Sequence, residues 1–538
     1  MRVVFLWHMH QPEYRVDGRF LRPWVYLHAL AGYSEMAARL EECPSMRAVV
    51  NFTPVLIDQL DDYASRLRRW REHRHAIGDA LLDALAELPP PGPERARIVR
   101  ACLPPRGSPH AGRHPRYHAL AEAAASHDPA TLPDAEFADL LAWFHLAWLG
   151  RSLRTEDPRA VRLIARSSGY DRAARHTLLE LIADAVARVL PRWRALGDEA
   201  RVELATSPYY HPLSPLLLDF ASSLESAPSA TIPADDYPGG ETRLRWHLAE
   251  GRARFEARFA QSAAGCWPPE GALSDATLGQ LAAAGFTWTA SSRSVLEATF
   301  AYHDTAGREP YRLFRHDPSG LHCAFRDDGL SDRIGFEYQH WQPRDAVRDL
   351  VMHLETIASE PGRELALIAL DGENPWEYFP DEGSEFLRGL YDALGMHELL
   401  RPATMRECVQ ALGGGAPALP ALRAGSWVHG QLLTWVGHHE KNRAWQWLIE
   451  AKRRCDASGR ADGELAHRLG ACEGSDWFWW PGVHNPSPSV AQFDELYRAH
   501  LSALYRSLDQ APPEELSRPF ASGVAHDVAA GGTMQRGA

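Results

Sequence analysis

Residues 364–376 read Glu364-Leu-Ala-Leu-Ile-Ala-Leu-Asp371-Gly-Glu373-Asn-Pro-Trp376, and they say most about the architecture of this chain. The apolar run is short enough to be a buried strand, and it stops at Asp371. In α/β barrels the catalytic groups sit at the carboxyl ends of the strands. The segment therefore predicts a barrel strand that carries an acid into a site.

Further β-like runs are spaced along the chain, at residues 2–7, 47–52, 202–206, 286–290, 311–315 and 321–326. Between them lie segments with apolar residues at helical spacing, such as residues 33–40, 177–190 and 276–284. The alternation of strands with helices predicts parallel βα units, in an open sheet or a barrel.

With 538 residues the chain is too long for a single core. We expect a catalytic barrel over residues 1–400 with a helical insertion around residues 134–196, and a C-terminal helical domain over residues 401–510. Residues 511–538 show little apolar periodicity and are expected to form a flexible tail. Residues 88–116 are rich in Pro, Arg and Gly and are predicted to form a long surface loop.

The formal net charge of the chain is −13. Nucleic acids and anionic membranes bind basic surfaces, so neither is expected as a partner, and a neutral substrate fits better. The first residues contain no long apolar segment, so neither a signal peptide nor a membrane helix is predicted. The seven cysteines show no CxxC spacing and are expected to be free thiols in a cytoplasmic protein.

A second acid stands in a comparable setting, in Gly265-Cys-Trp267-Pro-Pro-Glu270-Gly271. Two acids at separate strand ends, with tryptophans nearby, favour a sugar that lies on aromatic faces and is cleaved between two carboxyls. A nucleophilic carboxylate must be ionised, rigidly held and accessible, and the turn at Glu270 suits all three needs. The alternative is that Glu270 only favours the dipole of the helix that follows it.

Asp371 and Glu373 share one turn, so burial and mutual repulsion are expected to raise a pKa there, as a general acid requires. Calcium binding by the same acids is the alternative, although their spacing does not match an EF-hand loop. Asp332 belongs to a polar segment after the run 321–326 that is predicted to form either a rim of the same cleft or a solvated loop.

His8, His10 and Gln11 follow the first run directly, and alternate residues of an extended segment point the same way. The two histidines are predicted to line a site; a metal would need a third ligand from elsewhere. His211 stands before Pro212 in a stiff turn after the run 202–206, which suits recognition or structure equally. The aromatic run 475–482, which includes Trp479, is expected to cover a sugar cleft or to form a seam between domains.

Together these segments resemble glycoside hydrolase family 57, an α-glucan-active family with five short motifs in fixed order. His8–Pro12 resembles the first motif and Ser207–Pro212 the second. Gly265–Gly271 resembles the third and residues 369–374 the fourth, whereas the fifth lies in residues 434–445 or 474–482. The chain departs from the pattern after Trp480, where Pro481-Gly-Val-His484-Asn485 replaces the expected acids beside a histidine.

The resemblance implies an α/β fold: an incomplete seven-stranded (β/α) barrel with inserted helices and a C-terminal helical domain. It implies a retaining reaction without metal or organic cofactor, with Glu270 as nucleophile and Asp371 as acid/base, for which the carboxyls lie roughly 5–5.5 Å apart. The residues expected to contact the sugar are His8, His10, Gln11, His211, Trp267, Asp332, Glu373, Trp376 and Trp479.

The leading hypothesis is an α-glucan hydrolase that cuts α-1,4 links, nearer the α-amylase and amylopullulanase-like branch than the branching enzymes. A 4-α-glucanotransferase with the same residues is the first alternative, and a non-catalytic glucan-binding protein is the second. A metal-dependent deacetylase or mannosidase, with His8 and His10 as ligands, is a further alternative.

Overall fold

A computed structural model describes residues 1–104, 108–302, 310–460 and 462–524 of the chain, without the side chains of Tyr302 and Asn374. Its centre is a parallel barrel with strands β1 (Arg2–Met9), β2 (Ala48–Phe52), β3 (Val202–Thr206), β4 (Gly265–Cys266), β5 (Trp288–Ser292), β6 (His322–Arg326) and β7 (Leu365–Asp371). The strands pair in the order β7-β1-β2-β3-β4-β5-β6, and Arg326 of β6 pairs back to Leu367 of β7. The predicted fold class, a seven-stranded α/β barrel with inserted helices and a helical C-terminal region, is confirmed.

Side-chain alternation along the strands determines which residues reach the barrel axis. In β1, Val4 and Leu6 pack inside the barrel with Leu367 and Ala369 of β7, whereas Phe5 and its outward neighbours pack against the surrounding helices. Because successive strand residues point to opposite faces, His8 continues the inward row of β1. Asp371 continues the inward row of β7 and stands opposite His8 in the parallel register. The pleat therefore brings both residues to the mouth of the barrel.

Helices surround the barrel and connect its strands. They are Trp24–Leu30, Gly32–Glu42, Pro54–His73, Arg172–Asp198, Ser214–Leu218, Gly240–Phe259, Asp275–Ala283, Arg293–Tyr302, Asp328–Asp332, Pro343–Ser359, Asn374–Tyr378, Ser384–Gly395 and Met405–Leu412. Short 3-10 or π turns occupy Phe220–Glu225, Pro269–Gly271, Arg333–Glu337, Tyr338–His340, Pro380–Gly383 and Gly413–Gly415. Small strands outside the ring are Arg15–Val16, Arg19–Phe20, Phe314–His316, Arg401–Pro402 and Ala418–Leu419.

The β-like run predicted at residues 311–315 is a strand in part, Phe314–His316, but this strand does not join the parallel barrel. Phe314–His316 instead pairs antiparallel with β6 and lies outside the ring. The strand that sequence periodicity missed is β4, whose two residues are too few to show a period. Its glycine is required by packing, because a Cβ at Gly265 would lie 1.9 Å from the ring of Trp288 on the adjacent strand.

A helical insertion separates the helix after β2 from Arg172–Asp198. Its helices are Ala80–Ala86, Pro93–Ala101, Pro109–Arg113, Pro115–Ala125, Asp134–Ala147, Arg151–Glu156 and Pro158–Arg166. The predicted surface loop at residues 88–116 is therefore wrong, apart from residues 105–107, which lie outside the described residues. Pro93, Pro109 and Pro115 each begin a helix, where the missing N–H of proline costs nothing.

The C-terminal region consists of the helices His439–Ala457, Gly463–Cys472, Asp476–Trp479 and Ser487–Ser507, with a 3-10 turn at Glu514–Ser517. This region contacts the barrel helix Gly240–Phe259 through buried Glu473, which accepts hydrogen bonds from Arg243 and His247 at 2.7 Å. The domain boundaries given above stay predictions, and the tail from residue 525 lies outside the described residues. Within the described part of the chain, every helix is too short or too polar to cross a membrane.

Candidate active site

One cavity of about 810 Å³ opens at the carboxyl ends of the barrel strands. Its volume falls within the range of roughly 300–1,000 Å³ that small-molecule sites occupy. Among the residues that line it are His8, His10, His211, Glu270 and Asp371, which stand in or after the carboxyl-terminal ends of four different strands. The cavity also extends along the helical insertion. The structure therefore brings together the two predicted carboxyls and the three predicted histidines.

The backbone at Glu270 is left-handed, with φ 61° and ψ 22° inside the 3-10 turn Pro269–Gly271. This conformation costs a residue other than glycine about 1–3 kcal/mol, and it persists where surrounding contacts impose it. Here the N–H of Trp427 donates to the carbonyl of Glu270 at 3.0 Å. The turn directs the carboxyl of Glu270 into the cavity, where its side chain is 13% exposed.

Each carboxyl oxygen of Glu270 accepts a hydrogen bond. Ser475 Oγ donates to Oε1 at 3.0 Å, and Trp427 Nε1 donates to Oε2 at 3.2 Å. Burial, together with the negative charges of Asp476 and Asp371, raises the pKa of Glu270 to about 8, although the two donors act in the opposite direction. The two donors therefore favour the ionised form of Glu270, against the effect of burial and of the nearby charges.

Asp371 ends β7, and the backbone just beyond it is held against β1, because Gly372 N–H donates to the His8 carbonyl at 2.7 Å. Its neighbour Glu373 is buried and accepts from the hydroxyl of Tyr33 and from the His10 N–H at 2.7 Å. Burial, followed by the charge of Asp371, raises the pKa of Glu373 well above its usual value. Glu373 thus holds the backbone of His10 instead of facing the centre of the cavity.

The three histidines form one stacked cluster. The ring centroid of His211 lies 3.8 Å from that of His10 and 5.0 Å from that of His8. Burial lowers the pKa of His8 to about 3 and the pKa of His211 well below its usual value, with further lowering by the charge of His10. His8 and His211 are therefore neutral, and each ring has one donor and one acceptor nitrogen.

A chain of hydrogen bonds connects Glu270 to the barrel interior through Ser475 and these rings. Ser475 Oγ lies 3.0 Å from His211 Nδ1, and His211 Nε2 lies 3.1 Å from His8 Nε2. An ionised Glu270 only accepts, so Ser475 then donates to it and accepts from His211. The chain continues from His8 to the barrel wall, since His8 Nδ1 lies 2.7 Å from Asn51 Oδ1. The charge of Glu270 is thus linked through Ser475 to the proton position on His211.

A possible cation position involves His10, His211 and Asp476, whose ligand atoms lie within 4.8 Å of one another. It is the single group of this kind found among the residues that the structure describes. Imidazole nitrogens and a carboxylate suit zinc, but His10 Nε2 is already hydrogen-bonded to Asp476 Oδ2 at 3.0 Å. His8, which the metal hypothesis paired with His10, is not part of this group.

The remaining predicted site residues divide into two sets. Those that line the cavity are Gln11, Asp332, Glu373 and Trp479. Trp267 and Trp376 are fully buried instead: Trp267 packs edge-on against Trp427 at 5.3 Å, and Trp376 packs against Trp7 at 5.6 Å. These two indoles therefore belong to the packed interior and do not line the cavity.

Sequence analysis missed several residues that shape the site. Trp427, Ser475 and Asp476 contact Glu270 or the histidines, although the last two stood within a segment already noted for its tryptophans. Arg326 lines the cavity from the end of β6 and is held by Asp328 and Asp332 at 3.0 and 3.1 Å. The sequence did contain a signal for Arg326: a polar residue that ends a buried barrel strand faces the mouth of the barrel.

Comparison with known proteins agrees with this geometry. A family model described as Glycosyl hydrolase family 57 matches residues 4–416. No curated protein matches the chain by sequence.

Solved structures share the fold at low sequence identity. A GH57 branching enzyme from Thermococcus kodakaraensis, in complex with glucose and additives, aligns with TM-score 0.59 and 15% identity over 98% of each chain. The α-amylase AmyC from Thermotoga maritima aligns with TM-score 0.56 and 13% identity over 96% of each chain. A 4-α-glucanotransferase from Thermococcus litoralis aligns with TM-score 0.52 and 13% identity, over 94% of this chain and 60% of that chain. At these identities the likeness concerns the fold alone.

Proposed function

Because the chain belongs to glycosyl hydrolase family 57, we propose that it is a retaining glycoside hydrolase that cleaves α-1,4-glucosidic bonds in α-glucans or maltooligosaccharides. The main supporting observation is that Glu270 and Asp371 line one cavity at the barrel mouth. The charge of Asp371 contributes to the raised pKa of Glu270, so the two carboxyls are close enough to interact. A retaining glycosidase needs two carboxyls on either side of the bond that it cleaves.

In the proposed reaction, Glu270 attacks the anomeric carbon while Asp371 donates a proton to the departing glycosidic oxygen. The C–O bond breaks, a glycosyl-enzyme ester forms at Glu270, and Asp371 is left ionised. Water then attacks the same carbon, Asp371 takes the proton of that water, and Glu270 leaves as a carboxylate. Ser475 and Trp427 stabilise the carboxylate form of Glu270 at the start and at the end of this cycle.

The surrounding residues hold the sugar and the carboxyls in place. His10, Asp476 and Arg326 offer donors and acceptors to sugar hydroxyls, together with the predicted contacts Gln11 and Asp332. Trp479 offers an aromatic wall on the side of the helical region. His8, His211 and Glu373 act through their neighbours, since their polar atoms are already engaged with Asn51, Ser475 and His10.

The second candidate is a 4-α-glucanotransferase, disproportionating or branching, with the same residues in the same roles. The observation that favours it is the length of the cavity, which continues from the carboxyls along the helical insertion and offers space for an acceptor sugar. The two activities differ in whether water or a sugar hydroxyl attacks the glycosyl-enzyme. A cytoplasmic location and independence from cofactors remain part of the proposal.

The deciding experiment is product analysis on maltoheptaose in the presence of a chelator, with the wild type and Glu270→Gln. Shorter oligosaccharides alone, absent with the variant, support the hydrolase. Products both longer and shorter than the substrate support the transferase. Binding without turnover by the wild type supports the non-catalytic glucan-binding protein and contradicts the proposed reaction.

A further inference from the structure

A second group of polar and aromatic side chains lines the same cavity on the side of the helical insertion. It consists of His28, His110, Trp148 and Glu377, referred to below as the insertion cluster. The ring of Trp148 lies 4.4 Å from that of His110 and 5.9 Å from that of His28. Glu377 Oε1 lies 3.5 Å from His28 Nε2. None of these residues takes part in the proposed reaction at Glu270.

Two buried nitrogens of the insertion cluster have no hydrogen-bond partner among the described residues: His28 Nδ1 and His110 Nε2. Both side chains are more than nine-tenths buried, at 3% and 6% exposure, and both line the cavity. His110 Nδ1 donates to the carbonyl of Ala147 at 3.2 Å, so Nε2 is its acceptor and points away from that helix. Unsatisfied buried acceptors are costly, and they indicate a donor that binds from the cavity.

The cluster is electrically neutral near pH 7. Burial lowers the pKa of His28 to about 3. The pKa of His110 is also lowered to about 3, and burial is the main cause. Burial raises the pKa of Glu377 to about 8, so its carboxyl is largely protonated and can donate. Neutral donors and acceptors beside an indole suit a ligand with hydroxyl groups and an apolar face.

The cluster is also close to the proposed catalytic residues. The ring of His28 lies 6.0 Å from that of Tyr33, whose hydroxyl donates to Glu373, two residues after Asp371. Glu377 stands on the helix Asn374–Tyr378, which follows the same strand end. A single elongated ligand in the cavity can therefore touch both places.

We propose that the insertion cluster is a subsite for a glucosyl unit of the substrate other than the one that Glu270 attacks. The sugar hydroxyls donate to His28 Nδ1 and His110 Nε2 and accept from the carboxyl of Glu377, beside the indole of Trp148. This inference rests on the proposed function, because it takes an α-glucan chain as the ligand.

The test measures maltoheptaose affinity by calorimetry in a Glu270→Gln background, which prevents turnover. His28→Leu and Glu377→Leu are each expected to weaken binding about tenfold, the loss of one good hydrogen bond. Glu377→Gln keeps a donor and an acceptor and is expected to bind like its parent. His145→Leu is the matched control for His28, because His145 is a buried histidine that lies outside the cavity lining and is hydrogen-bonded to Leu141 and Tyr26. Glu385→Leu, at an exposed carboxyl, is the control for Glu377.

Turnover of α-glucosyl fluoride, which has a single sugar unit, provides the second measurement. His28→Leu and Glu377→Leu with an intact Glu270 are expected to keep the wild-type rate on it and to lose about tenfold in kcat/KM on maltoheptaose. Unchanged maltoheptaose affinity and turnover in both variants overturn the subsite and leave the proposed function intact. A Glu270→Gln protein that binds no maltooligosaccharide, with a wild type that cleaves none, overturns both. If His28→Leu does not fold, the Glu377→Leu and Glu377→Gln pair still decides the matter.

Discussion

Ser475 Oγ donates to Glu270 Oε1 at 3.0 Å, so a residue of the C-terminal helical region holds the carboxyl of a barrel residue. The same hydroxyl lies 3.0 Å from His211 Nδ1, and the next residue, Asp476, pairs with His10. The barrel strands therefore supply the carboxyls, whereas the helical region supplies the groups that orient them.

The roles of the two carboxyls can be separated with azide. We expect Asp371→Asn to lower kcat on maltoheptaose by about 10²–10⁴, the usual contribution of a general acid, and far less on an aryl α-glucoside with a very good leaving group. With azide, Asp371→Ala should yield the α-glucosyl azide, because azide attacks the glycosyl-enzyme. Glu270→Gly should yield the β-anomer, because azide then replaces the nucleophile. If Asp371→Ala gave the β-anomer and Glu270→Gly the α-anomer, Asp371 would be the nucleophile and Glu270 the acid/base.

Ser475→Ala should shift the pH profile upwards. The hydrogen bond from Ser475 lowers the pKa of Glu270, so its loss raises that pKa further, by about one unit for roughly 1.4 kcal/mol. Because attack requires the ionised carboxyl, kcat/KM on α-glucosyl fluoride, whose leaving group needs little help from Asp371, should fall about tenfold near pH 7 and recover towards pH 9. Ser475→Thr, which keeps a hydroxyl, is the control. A loss of rate that is equal at all pH values would point to a general structural defect instead.

Glu270→Gln should stabilise the protein above about pH 5. The raised pKa means that the folded state binds the proton of Glu270 more tightly than the unfolded state does, so ionisation of the wild type disfavours folding. The sign is therefore that wild-type stability falls as pH rises from the unfolded pKa of 4.5 towards 8. We expect the variant to gain up to about 2–3 kcal/mol at pH 7 and nothing at pH 4, by chemical denaturation. If the variant and the wild type differed equally in free energy of unfolding at pH 4 and pH 7, ionisation of Glu270 would not be the cause.

Chelator treatment tests the group formed by His10, His211 and Asp476. We expect activity after dialysis against a strong chelator to equal that before it, because His10 and Asp476 already satisfy each other by a hydrogen bond. The measurement is maltoheptaose turnover with metal analysis of the same sample. Loss of activity that added zinc restores would favour the metal-dependent alternative, with Asp476 rather than His8 as the third ligand.

Much of the barrel could be predicted from sequence because its strands are short, apolar and separated by helical periodicity. Strand β4 could not, since two residues carry no period and its glycine is explained only by the indole of Trp288 across the ladder. Residues 88–116 were predicted to form a loop, although they contain insertion helices, because proline signals both a turn and a helix start.

Some residues of the site could likewise be predicted from local sequence, and others could not. Glu270 and Asp371 stand beside turn residues in short motifs, so local sequence points to them. Ser475 and Trp427 contact Glu270 from positions 205 and 157 residues away, and only the fold brings them there. Trp267 and Trp376 were expected on the sugar because they neighbour the acids, yet large indoles beside a strand end pack into the core as readily.

The left-handed backbone of Glu270 recurs at His211, whose φ is 59°. Glycine occupies this conformation without strain, so at both positions the chain carries a side chain where the backbone alone would favour none. Glu270→Gly should therefore melt at a higher temperature than Glu270→Ala, although both lack the carboxyl. The backbone of the turn thus favours glycine at position 270, whereas the proposed chemistry requires a carboxyl there. The inactive Glu270→Gly protein has the less strained backbone.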